Sequence, residues 1–108
     1  MVKNNITTTV KTTIRVKICC ISSVEEATLA IKYGASALGL VSEMPSGPGV
    51  IDDNIIEEIA SKIPPPIATF LLTSKQKAGE IIGQHLKTRT NTLQLVDHLP
   101  YDELKKLR

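Results

Sequence analysis

Between Arg15 and Cys20 the chain alternates, with Val16, Ile18 and Cys20 on one face and Arg15, Lys17 and Cys19 on the other. A period of two predicts a strand. Ser22 and Ser23 follow as N-cap candidates, Glu26 completes a capping box with Ser23, and Ala27, Ala30 and Ile31 recur at helical spacing until Gly34 offers a stop. The unit then repeats. Residues 36–41 form a short apolar run containing Gly39, a loop spans 42–50, and a helix is expected from about Asp53 to Lys62 with Ile55, Ile56, Ile59 and Ile63 as its apolar stripe. Pro64, Pro65 and Pro66 end that helix, because proline lacks the N–H and disfavours helix in the residue before it. A third strand is expected over 67–73, a third helix capped by Ser74 with Ala78, Ile81, Ile82 and Leu86 facing inward, a fourth strand over 91–96, and a fourth helix from Pro100.

Four strand–helix alternations call for an α/β fold, a parallel sheet covered by helices. Two architectures meet this requirement: a small doubly wound sheet, or the first four βα units, one half, of a (β/α)8 TIM barrel. Periodicity alone does not choose between them. The half barrel is favoured by two mixed faces, Arg15, Lys17 and Cys19 on the first strand and Thr92, Gln94 and Val96 on the fourth, which suit an interior that turns polar toward its mouth. The expected organisation is a flexible N-terminal extension over 1–14 followed by the half barrel over 15–108. The pattern Leu104 to Arg108 stops inside an amphipathic helix without a capping Gly or Asn, so the half barrel reads as cut. Such a half exposes two sheet edges and an interior face that another chain or segment has to cover.

Composition narrows the function classes. A chain of 108 residues, 42% of them apolar, fits one domain with an ordinary core. Its 13 basic and 11 acidic residues are interspersed, and Tyr33, Phe70 and Tyr101 are too few aromatics for base stacking, so nucleic acid is not an expected partner. The absence of a secretory apolar run, or of a stretch of about 20 apolar residues, sets membranes aside and makes a cytoplasmic location the expectation. Cys19 and Cys20, as strand neighbours, would point apart, which argues against a disulfide and agrees with a reducing compartment. No Cys/His cluster has zinc spacing, so no metal and no cofactor are expected. His85 and His98 read as solvated residues: His85 sits where a helix C-terminus favours partial positive charge, and His98 is near enough to the mouth for a substrate contact to stay open. Ser46-Gly47-Pro48-Gly49 matches no phosphate-loop pattern and reads as an active-site loop or a plain turn.

In barrels of this kind the chemistry lies at the C-terminal ends of the strands. Cys19 occupies that place on the polar face, and Lys17, one step below, is the kind of cation that favours a thiolate. The alternative is that both cysteines are small apolar residues of the core. Gln94 puts an amide on a central mixed face, where its polar atoms need partners. It serves either as a bonded interior residue or as a support for base or substrate.

These same residues carry a resemblance. Val16-Lys-Ile-Cys-Cys-Ile-Ser22 resembles the V-K-I-C-G-I-T opening of the phosphoribosylanthranilate isomerase family, and the likeness continues through Glu25-Glu26-Ala27, Gly34-Ala35 and Ala37-Leu38-Gly39-Leu40. Ser46 to Ile51 stands at the family's S-P-R-Y-V loop, Pro64-Pro65 at its P-P, and Asn91 to Leu95 at its A-V-Q-L strand. The likeness runs over residues 15–108 and reaches only the first half of the family's length. It implies an Amadori rearrangement of N-(5-phosphoribosyl)anthranilate to the 1-deoxyribulose 5-phosphate product in tryptophan biosynthesis, an aldose–ketose isomerisation. In that reading Cys19 is the general base, Lys17 and Gln94 contact substrate, and the general acid and phosphate loops belong to the second half, so the 108-residue chain alone is expected to be inactive. Asp97 and Asp102 are not assigned the acid's role. Three departures accompany the likeness: Cys20 replaces a glycine and is expected to turn toward the covering helices, Gly49 replaces an arginine, and Val96-Asp97 replace H-G. The alternative is a non-catalytic half barrel that self-assembles, its exposed edges completed by a second copy as a homo-oligomer.

Overall fold

The structure, a computed structural model, describes residues 14–108, so the expected extension over 1–14 lies outside the described residues except for Ile14. Its elements are β1 (Lys17–Ile18), α1 (Val24–Lys32), β2 (Ala37–Val41), α2 (Asp53–Ser61), β3 (Ala68–Thr73), α3 (Ala78–Thr88), β4 (Thr92–Leu95) and α4 (Tyr101–Lys106). The strands form one parallel sheet in the order β1-β2-β3-β4, in register Lys17 to Ala37, Gly39 to Phe70 and Leu72 to Gln94. Sequential order with a helix after every strand is the topology of half a (β/α)8 barrel. A doubly wound sheet would reverse its strand order at a switch point.

Alternation divides the sheet into two faces. Leu38, Leu40 and Leu71 point under the helices and are fully buried with Ala27, Ile56 and Ile59; Leu93 packs against the same cluster. The opposite face carries Lys17, Ala37, Ala68, Phe70 and Thr92, which together line a shallow groove of about 250 Å³. β1 is much shorter than the expected run from Arg15 to Cys20. Backbone pairing at this edge includes bonds from Ser36 and Ala37 N–H to Val16 C=O, and one from Ile21 N–H to Gly39 C=O.

The helices begin where side chains meet their free N–H groups. Ser23 caps α1 by accepting from Glu26 N–H, while the Glu26 carboxylate takes the N–H and hydroxyl of Ser22, one residue before the expected box partner. Asp52 caps α2 by accepting from Asn54 N–H. Within α2 the stripe is narrower than expected, for Ile56 and Ile59 are buried whereas Ile55 is exposed. Ser74 does not cap α3. That helix starts at Ala78, whose N–H donates to the Glu103 carboxylate from α4 at 2.8 Å. Its inner face is Ala78, Ile81, Gln84 and Thr88, while Ile82 and Leu86 are exposed, contrary to the sequence expectation. The inside polar residues find partners for their donors: Gln84 Nε2 donates to the Asp53 carboxylate at 3.1 Å and the Thr88 hydroxyl to Gln84 C=O at 3.0 Å, while Gln84 Oε1 is buried without a partner.

Candidate active site

β1 delivers the chain to the C-terminal rim of the sheet, and there the alternation breaks. Cys20 has φ +60°, the left-handed region that residues with a Cβ avoid, so the chain turns out of the strand. Cys19 and Cys20 both lie beyond β1, and both are exposed. Cys19 rests on the neighbouring strand at Gly39: a Cβ there would come within 2.6 Å of the Cys19 sulfur and 3.1 Å of its Cα. Gly39 therefore makes the seat for this thiol. A glycine inside a strand pattern signals close approach, and that was the available clue to its role.

Cys20 does not turn toward the covering helices. Its thiol donates to Pro48 C=O at 3.7 Å, and a Cβ on Gly49 would meet the Cys20 sulfur at 2.7 Å. The left-handed backbone is the reason, since it sends the side chain under the loop 42–50. Gly47 and Gly49 hold φ values of +118° and +83°, which let that loop fold back over Cys20 until Val50 bridges to Val41. The two adjacent thiols thus serve different neighbours, one the sheet and one the loop.

On the concave face the structure brings Lys17 and Gln94 together from opposite edges of the sheet. The Lys17 ammonium donates to Gln94 Oε1 and stands over the Phe70 ring, 4.7 Å from its centroid. An ammonium has only donors, so the amide must turn its oxygen to Lys17 and leave Nε2 as the end available to a ligand. Phe70 was not among the sequence candidates; its position facing Gly39 in the register puts it under the lysine. Around the rim, Met44, Pro45, Ser46, Ser74, Val96 and Asp97 line a pocket of about 290 Å³ between the loops after β2, β3 and β4.

Of the histidines, His98 is exposed in the loop after β4. His85 bonds through Nδ1 to the Thr90 hydroxyl at 2.9 Å, and its partial burial lowers its pKa, favouring the neutral ring over the charge its helix position suggested. Among the described residues, no group of three or more His, Cys, Asp or Glu is placed to hold a metal ion, and no helix is long and apolar enough to cross a membrane.

Four parallel βα units in sequential strand order define the class: the fold of half a (β/α)8 barrel, here with an exposed cysteine at the C-terminal rim of the sheet. No family model matches the chain. Individual proteins do. It is 31% identical over 95 residues to the N-(5'-phosphoribosyl)anthranilate isomerase of Methanosarcina acetivorans, covering 87% of this chain and 40% of that protein. A Methanosarcina mazei protein named N-(5'-phosphoribosyl)anthranilate isomerase 2 is 34% identical over 95 residues, with 42% of its length covered. In structure the chain matches a phosphoribosyl anthranilate isomerase solved in complex with reduced 1-(o-carboxyphenylamino)-1-deoxyribulose 5-phosphate, at a TM-score of 0.77 and 26% identity over 88% of this chain and 48% of that one. The isomerase from Thermotoga maritima matches at a TM-score of 0.76. By sequence and fold together the chain is similar to phosphoribosylanthranilate isomerases, and it spans less than half the length of the curated relatives it matches.

Proposed function

We propose that this chain supplies the general-base half of a phosphoribosylanthranilate isomerase, acting in the conversion of N-(5-phosphoribosyl)anthranilate to its aminoketose in tryptophan biosynthesis. Protonation of the sugar ring oxygen opens the ring to an iminium. Cys19 then takes the C2 proton, and the resulting enolamine gains a proton at C1 as its C2 hydroxyl gives one up, leaving the ketose. Well-positioned proton transfers of this kind contribute about 10²–10⁴-fold each. The observation that carries the reading is the exposed Cys19 just beyond β1, its sulfur seated on Gly39, which supports the role that the family likeness implies for it. Lys17 and the free Nε2 of Gln94 offer a cation and a donor on the same concave face to an anionic, hydroxyl-rich substrate. The proton donor is assigned to no residue of this chain, and a cytoplasmic setting fits the free thiols.

The test is a chimeric barrel in which residues 15–108 are joined to the part of the Methanosarcina acetivorans relative that they do not cover, assayed for isomerase turnover with and without Cys19→Ala. The substitution is expected to lower kcat by about 10²-fold or more with KM little changed. Undiminished turnover in the variant would remove the cysteine from the mechanism.

A further inference from the structure

We propose that the polar cavity between α2 and α3 is a binding site for a small aliphatic diammonium ion, with Gln84 Oε1 and the Asp53 carboxylate as its inner acceptors. The site belongs to the helix layer, away from β1. It is independent of the isomerase reading and of Cys19.

The cavity, of about 480 Å³, falls in the size range of small-molecule sites. Separate segments build its wall: the loop after β2 gives Glu43, the start of α2 gives Asp52 and Asp53, the loop after β3 gives Lys75, and the inner face of α3 gives Gln84. Gln84 is only 7% exposed. Its Nε2 donates to both oxygens of Asp53, at 3.1 and 3.3 Å, while Oε1 is the one buried side-chain polar atom among the described residues that has no partner. Exchanging the two ends of the amide would set its oxygen against the carboxylate, acceptor against acceptor, so the orientation is fixed. A buried acceptor without a donor is costly, and a ligand that brings an N–H there relieves the cost on binding.

Charge and donor type select the ligand. Three carboxylates and one ammonium line the cavity, leaving two negative charges unmet. Neither Glu43 nor Lys75 belongs to an ion pair among the described residues. A bare metal ion is a poor match, because no group of three or more His, Cys, Asp or Glu among the described residues is placed to hold one. Carboxylates set apart from one another call instead for charges set apart on the ligand. Two ammonium groups joined by a methylene chain meet that need. One donates inward to Gln84 Oε1 and Asp53, and the other outward to Asp52 and Glu43, which are exposed at the mouth. The chain between them packs on Val50 and Ile51.

The test is titration of the isotope-labelled 108-residue chain with putrescine, followed through the NMR signals of the Gln84 side-chain amide, with Kd from calorimetry. A saturable shift at Gln84 and a rise in Tm are expected. Gln84→Leu should weaken Kd about tenfold or more by removing the inner acceptor. Because that change also removes the bond to Asp53, two exposed variants carry the test on the intact fold: Glu43→Gln should weaken Kd about two- to fivefold, and Lys75→Gln should strengthen it by a similar factor. Tetramethylammonium chloride at equal ionic strength carries charge without an N–H and should leave the Gln84 amide unmoved. No saturable shift with putrescine would mean that water serves Oε1, and the proposal would be overturned. An equal response to tetramethylammonium, tighter binding of magnesium chloride, or a Kd indifferent to Glu43→Gln and Lys75→Gln would each overturn it as well.

Discussion

Replacing Cys20 tests whether its backbone, rather than its sulfur, is the costly feature of the rim. At φ +60° a residue with a Cβ costs about 1–2 kcal/mol relative to glycine. Glycine gives back about 0.4–1 kcal/mol through the extra freedom of its unfolded chain. Cys20→Gly is therefore expected to be more stable than Cys20→Ala by about 0.5–1 kcal/mol, a difference worth roughly 2–8 °C in Tm for a domain of this size. The thiol's own bond, to Pro48 C=O at 3.7 Å, is long and made by a weak donor, so Cys20→Ala should fall only slightly below the unaltered chain. Urea denaturation of the three proteins, followed by circular dichroism, gives the midpoints, with the slopes checked for equality so that midpoints report stability. An alanine variant as stable as the glycine variant would mean that residue 20 does not occupy the left-handed region, and the account of the broken strand would fall with it.

Two further outcomes follow from the same geometry. Gly39→Ala should destabilise the chain by about 1–3 kcal/mol, because the new methyl would sit 2.6 Å from the Cys19 sulfur and 3.1 Å from its Cα; Cys19 should also react faster with iodoacetamide once lifted from its seat, and an unchanged rate would argue against that packing. The Glu26 carboxyl is held below its ordinary pKa by hydrogen bonds from the Ser22 backbone and hydroxyl, so its contribution is present above the unfolded carboxylate pKa and is lost as pH falls through the folded one. From about pH 5 to pH 3 the unaltered chain should thus lose stability more steeply than Glu26→Gln, and parallel profiles in denaturant titrations would show that the bond contributes nothing.

The order of elements was legible because each signal is local: alternation in the strands, Ser23 and Glu26 at one helix start, three prolines after another helix. What escaped depends on residues distant in the chain. Ser74 was a reasonable cap by type, yet α3 starts later because Glu103, 25 residues downstream, reaches back to Ala78 N–H. Ile82 and Leu86 looked like core by hydropathy, whereas Gln84 and Thr88 take the inside through bonds to Asp53 and to the helix backbone. The shared face of Lys17 and Gln94 was readable from period two. Gly39 as a seat and Phe70 under the lysine depend on strand register, which one strand's sequence does not contain. Running the alternation on to Cys20, two residues past the end of β1, also hid the turn there.

Hydrogen bonds in a sheet tie each strand only to its neighbour, so they fix spacing and leave overall bend comparatively soft. The contact between Lys17 on β1 and Gln94 on β4 is of another kind, for it spans the arc as a string spans a bow, with Phe70 propping the middle. Slackening that string with a shorter side chain would let the bow flatten. The bend of the sheet is thus braced by contacts among these residues themselves.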